Sequence, residues 1–193
     1  MMWTDALRFL INTAFGLIVY AALLRFMMQW LRAPFRNPLG QATMALTDWV
    51  VKPLRRVLPG RGGYDWASLA VAWIGQMGWL AALAALGDAA VSASLAGFVA
   101  AFSLIELLKA ALWIMIGAIF VQAILSWVAP DGPLAGVLNA LTFRVLAPIR
   151  RVLPPLGGTL DLSPLIAIVL AQLILMLPVA WLEQAIAQMF RSS

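Results

Sequence analysis

Four stretches of the chain, residues 9–30, 66–86, 107–128 and 162–182, are almost without polar side chains. Each is close to the roughly 20 residues that a helix needs to cross a hydrocarbon layer about 30 Å thick. None alternates polar and apolar positions with the period of two that a transmembrane strand requires. The pattern predicts an all-α, polytopic membrane protein with four transmembrane helices. The first run is too long for the apolar region of a cleavable signal, and no small-residue cleavage signature closes it, so it is expected to persist as a helix.

Between the runs lies a repeated string. "PLRRVLPGRGGYD" begins at Pro53 and returns as "PIRRVLPPLGGTLD" from Pro148. At one offset Arg55 and Arg56 meet Arg150 and Arg151, Pro59 meets Pro154, and Gly62 and Gly63 meet Gly157 and Gly158. One inserted residue later, Asp65 meets Asp161 and Gln76 meets Gln172; upstream, Leu46 and Thr47 meet Leu141 and Thr142, and Trp30 meets Trp127. Such self-similarity predicts a duplication, residues 1–96 and 97–193, each copy being a span, a short connecting segment and a second span. An even number of spans per copy makes the two helical hairpins parallel rather than inverted, and symmetry would bring Gln76 and Gln172 to equal depth.

The connecting segments have helical periodicity of their own. Leu39, Ala42, Leu46 and Val50 share one face in the first copy, and Leu134, Val137, Leu141 and Val145 share one in the second. Asn37 before Pro38 reads as an N-cap followed by proline at the first helical position, and Pro53 and Pro148 are expected to end these helices. About 14 residues reach only ~21 Å, too short to cross, so each should be an amphipathic helix lying at the membrane interface.

Composition narrows the chemistry. The chain has 64% hydrophobic and 11% charged residues, too little polar surface to cover a soluble globule. It contains no cysteine and no histidine, which removes disulfides, thiolate catalysis and imidazole metal sites; no metal or cofactor is expected. Of 13 basic residues, nine fall in the two connecting segments: Arg32, Arg36, Lys52, Arg55, Arg56, Arg61, Arg144, Arg150 and Arg151. The positive-inside rule places both segments in the cytoplasm and both termini in the periplasm. A net charge of +5 is accounted for by that topology, so no direct nucleic-acid partner is expected.

Individual residues then acquire expected roles. Arg55, Arg56, Arg150 and Arg151 sit at headgroup depth, as topology anchors or as bidentate contacts to lipid phosphates or a partner loop. Asp65 and Asp161 precede spanning helices and are placed to cap them, with Gly62, Gly63, Gly157 and Gly158 forming the reversal, and an Arg to Asp ion pair bridging the turn is expected. Arg25 lies inside the first run and is expected to snorkel about 7 Å to the interface. With Gln76, Gln122 and Gln172 it could instead line a polar path along the axis, the alternative for the glutamines being interhelical hydrogen bonds. Glu106 and Lys109 are expected to mark the outer boundary of the third span.

The strings "QWLRAPFRNPL", "LTDWVVKPLRRVLPG", "ILSWVAP" and "LTFRVLAPIRRVLPPLGGTLDLSPLIA" closely resemble the YggT family of bacterial integral membrane proteins, with YlmG-like relatives in cyanobacteria and plastids. The resemblance covers nearly the whole chain and implies the bacterial inner membrane. It also implies links to ion homeostasis, osmotic stress, division-site organisation or cytochrome complex assembly, with no single activity. "TDWV" and "TFRV" depart from the family's usual Thr-x-Pro, at Asp48 and Arg144. No nucleophile with an adjacent base and no phosphate-cradling glycine loop is present, so an enzyme is not expected. The expected function is a non-enzymatic scaffold or assembly factor acting through the connecting elbows. The alternative is a small oligomeric channel or transporter. Expected partners are anionic lipid headgroups, further copies of the chain or other membrane proteins.

Overall fold

A computed structural model describes residues 2–87, 93–154 and 161–191. Among these the fold is helical throughout its regular structure: α1 (Met2–Trp30), α2 (Pro38–Leu54), α3 (Trp66–Leu86), α4 (Ala93–Val128), α5 (Ala135–Val152), α6 (Ser163–Ile174) and α7 (Ala180–Arg191), with a π-helical turn (Leu175–Val179) joining the last two. Four stretches, Met2–Trp30, Trp66–Leu86, Leu95–Val128 and Ser163–Phe190, are long and apolar enough to cross a membrane. Their outward faces carry large apolar side chains such as Leu165, Leu173 and Leu177, the surface a lipid solvent requires. The spans at 9–30, 107–128 and 162–182 are thus longer than the apolar runs alone indicate. The final helix continues past Pro178 because the π turn absorbs the backbone bond that the proline ring removes.

α1 and α3 form the tightest pair. Gly75 and Gly78 on α3 leave room for Val19 and Phe15 on α1; a methyl group at either glycine would lie under 3 Å from them. Small residues at such a seam let backbones approach, which is the main attraction available between helices in lipid. The core around this pair gathers Val19, Ala22, Met28, Val51, Ala67 and Ala72, and extends through Leu107 and Ala110 to Val137 and Leu141 on α5. Ile119, Leu146 and Ala167 form a second cluster joining α4, α5 and α6.

α1 stops because Arg32 turns into the left-handed region (φ 57°), letting the Ala33 amide reach the Met28 carbonyl at 2.8 Å and the Arg32 amide reach that of Gln29 at 3.1 Å. α2 then starts where Asn37 caps it, its side chain accepting from the Gly40 amide at 2.9 Å, with proline in the first turn. The face α2 buries is Gly40, Thr43, Thr47 and Val51. The apolar face of Leu39, Ala42, Leu46 and Val50 lies one residue toward the N-terminus, and there Leu46 is exposed. In lipid the polarity rule is inverted: leucine is comfortable outside, whereas the threonine hydroxyls need protein partners. In α5 the expected Val137 and Leu141 are buried, joined by Leu138, Thr142 and Leu146. Pro148 does not end α5, which runs on to Val152.

Glu106 and Lys109 are not at the outer boundary of a span. α4 begins at Ala93, so both lie well inside a helix of 36 residues. Trp73, seven residues into α3, donates to the hydroxyl of Ser103 at 2.8 Å, which is 25 residues before the end of α4. Ile114 of α4 borders the groove lined by Leu39, Ala42 and Leu46 of α2.

Candidate functional site

The chain returns from α2 to α3 through a tight turn. Gly62 (φ 65°) and Gly63 (φ 83°) both take left-handed conformations that other residues avoid, and the Tyr64 amide donates to the Arg61 carbonyl at 3.2 Å. The turn delivers Asp65 to the start of α3, where one oxygen accepts from the Ser68 amide at 3.3 Å and the other from the Ser68 hydroxyl at 2.6 Å. The same carboxylate receives Arg55 as a fork, Nε to Oδ1 at 3.2 Å and Nη2 to Oδ2. Asp65 is 1% exposed.

Arg25 joins this cluster from α1. It does not snorkel: the residue is 3% exposed, and its guanidinium turns inward to the elbow. Nη1 donates to the Thr47 hydroxyl at 2.8 Å and to Asp48 Oδ1 at 2.7 Å, while Nε lies 3.6 Å from Asp65 Oδ2 without a hydrogen bond. Lys52 closes the network on Asp48 Oδ2 at 2.7 Å. A buried guanidinium is tolerable only with such partners, because an unpaired buried charge costs several kcal/mol. The bond to Lys52 holds the Asp48 carboxyl below its ordinary value, against some burial, with Arg25 adding to it. Burial pushes Asp65 up, but the bonds from Arg55 and Ser68 outweigh it and keep that carboxyl low too.

The second elbow repeats half of this. Arg150 donates through Nε to Asp161 Oδ2 at 2.9 Å, with Nη2 at 2.8 Å from the same oxygen, and Asp161 Oδ1 accepts from the Ser163 amide at 2.9 Å. Burial raises the Asp161 carboxyl, and the Ser163 and Arg150 contacts reverse that to a net lowering. Where α1 carries Arg25, α4 carries Gln122, whose side chain contacts the Thr142 hydroxyl and donates to Asn139 at 3.3 Å. Phe143 stands where the first copy has Asp48. One elbow is therefore built around charge and the other around neutral amide and hydroxyl groups. Gly157 and Gly158 lie outside the described residues. In both arginine doublets the first member is tied down, while Arg56 and Arg151 are exposed.

The polar path was the alternative open to Gln76, Gln122, Gln172 and Arg25. Arg25 and Gln122 are instead engaged at the two elbows, and Gln172 is half-buried on α6. Gln76 lines a cavity of about 340 Å³ between α1, α3 and α4, together with Glu106, Lys109 and Trp113. Lys109 donates to Glu106 at 2.8 Å and to Glu183 of α7 at 2.6 Å. Glu183 went unnoticed in the sequence, although an acidic residue in a run of apolar ones is itself the signal that could have found it.

An uncharacterised protein of Pseudomonas aeruginosa is 36% identical over 174 residues, covering 88% of this chain and 86% of its own length. The uncharacterised protein YggT of Escherichia coli K12 is 37% identical over 171 residues, 88% of this chain and 87% of that protein. A Haemophilus influenzae protein, also uncharacterised, is 27% identical over 157 residues, 81% and 82% of the two chains. No solved structure matches. The CCB3/YggT family pattern matches residues 4–86 and 101–182, and with four apolar helices of spanning length the chain belongs to the CCB3/YggT family of membrane proteins.

Proposed function

We propose that the protein is a non-enzymatic scaffold of the bacterial inner membrane, a tandem pair of helical hairpins whose two elbows lie at the cytoplasmic surface. There each elbow presents one arginine to anionic lipid headgroups or to an acidic segment of a partner membrane protein. The observation that carries this is the division of labour in the doublets: Arg55 and Arg150 are fixed on Asp65 and Asp161, whereas Arg56 and Arg151 are exposed. A clamped backbone holding out a free guanidinium loses little conformational freedom on binding, and arginine binds phosphate or carboxylate bidentately. The two family matches, falling on either half of the chain, support reading the halves as copies. The excess of basic residues in the elbows supports their cytoplasmic side. α2 and α5 are short and leave one face open, in keeping with an interfacial position.

The test is retention of lipid and partners by the purified protein. Arg56→Gln with Arg151→Gln should release co-purifying anionic lipid, and any partner recovered in fixed proportion, without loss of folded protein. Unchanged retention of both sinks the reading. Ion or small-solute passage by an oligomer is the second reading, favoured by the cavity at Gln76, Glu106 and Lys109. Potassium efflux from liposomes that reports the protein, and that stops in the Glu106→Gln variant, would establish it.

A further inference from the structure

The cavity between α1, α3 and α4 has more polar capacity than its own walls use. Lys109 is bonded to two carboxylates, and Glu183 alone would neutralise it. Glu106 is surplus: only its Oε1 meets Lys109, and Oε2 has no hydrogen bond among the described residues. The three groups carry a net charge of −1 inside helices of membrane-spanning length, an arrangement that is costly unless something positive shares the space.

A second feature, on a different helix, points into the same volume. Gln76 is 8% exposed, lines the cavity, and neither donates nor accepts a side-chain hydrogen bond among the described residues. Its amide atoms are not sealed in the protein interior but open to the cavity, where they can take a partner. Asn12, opposite, is already engaged, accepting from the Trp79 indole at 2.6 Å. The rest of the wall is apolar and includes four aromatic rings, Phe15, Tyr20, Trp79 and Trp113.

We propose that this cavity binds a small organic cation, a protonated alkylamine of a few carbons. Its ammonium group is held by Glu106 Oε2 and the Gln76 amide oxygen, and its alkyl part packs against the indole and phenol rings. Each feature selects for that class. The surplus carboxylate favours positive charge, and anions are disfavoured because Lys109 is already shared by two glutamates. Tryptophan and tyrosine faces attract ammonium groups and cover alkyl surface. A bare metal ion is poorly served, since no group of three or more acidic, histidine or cysteine ligands occurs among the described residues. A volume of about 340 Å³ is at the small end for a ligand pocket, suited to a molecule of a few heavy atoms.

The site deepens the second functional reading, but binding is measured without a gradient and so stands or falls apart from flux. The full chain is placed in nanodiscs of neutral phosphatidylcholine and titrated with ethylammonium by calorimetry, with potassium as competitor. Saturable binding is expected, insensitive to equimolar potassium, and weakened about tenfold or more by Gln76→Leu and by Glu106→Gln. Trp127→Phe, at an exposed position near the end of α4 that does not line the cavity, should bind as the parent does. If Glu106→Gln fails to fold, Gln76→Leu, which changes no charge, decides alone. Absence of saturable binding, binding unchanged in a folded Gln76→Leu variant, or equal competition by potassium would each overturn the assignment.

Discussion

Arg25 and Asp65 face each other across 3.6 Å with their side chains 4% and 1% exposed, one arriving from the last two turns of α1 and the other from the cap of α3. The pair ties α1 to the start of α3 through charge rather than through packing alone. Removing one partner from such a pair leaves an uncompensated buried charge. Asp65→Asn should therefore cost about 3–5 kcal/mol of unfolding free energy. Asp161, 29% exposed and ion-paired with Arg150, should lose only about 1 kcal/mol in Asp161→Asn. Denaturant unfolding in mixed micelles measures both; equal losses would mean the two elbows are energetically alike.

The contrast between the copies can be transplanted. The second elbow has Gln122, Thr142 and Phe143 where the first has Arg25, Thr47 and Asp48. Arg25→Gln alone leaves Asp48 with Lys52 only, and Asp48→Phe alone leaves Arg25 with one distant carboxylate. The double variant reproduces the neutral arrangement already working in the same chain. A double-mutant cycle should show it more stable than the sum of the single losses by about 1–3 kcal/mol. Simple additivity would show that Arg25 and Asp48 do not act as a unit.

Acid should loosen the elbows before it touches the spans. Asp48, Asp65 and Asp161 all have folded values below the ordinary 3.8. A depressed carboxyl contributes stability that is fully present above the unfolded value and disappears as pH falls through the folded one. Stability is therefore expected to be flat, as far as these groups go, from neutral pH down to about 5. Below about 4 it should fall, and the fall should be shallower in Asp65→Asn than in the parent. Thermal midpoints in detergent over that range give the comparison.

Local signals wrote most of the elbows into the sequence. Asn37 followed by proline, the paired glycines and Asp65 before an apolar run each act within a few residues, so cap, turn and helix start are all predictable from spacing. The cavity was less legible because its partners are distant: Lys109 and Glu183 are 74 residues apart, and Trp73 and Ser103 are 30 apart. The extent of α4 was hidden for a different reason. Residues 93–106 include serines, glycine and a glutamate, which dilute the apolar run without breaking the helix. The buried face of α2 was not assigned from the sequence, because apolar periodicity marked only the face suited to the membrane interface, whereas in lipid the side chains that need protein around them are the polar and small ones.

Gly40 tests that last point most directly. It lies on the buried face of α2, and a methyl group added there would sit 2.5 Å from the carbonyl oxygen and 2.8 Å from the Cα of Phe35. Both are backbone atoms in the turn that leads α1 into α2, so no rotamer change relieves the clash. Gly40→Ala should displace the start of α2, weakening the Asn37 cap and costing about 1–3 kcal/mol. Gly16 is the control. It is also helical, on α1, but nothing lies within 4 Å of where its methyl would be, so Gly16→Ala gains helix propensity and should be neutral or stabilising by up to about 1 kcal/mol. Unfolding of the two variants side by side separates tight protein contact from mere helical position. A harmless Gly40→Ala would mean that α2 is not seated against the turn at Phe35.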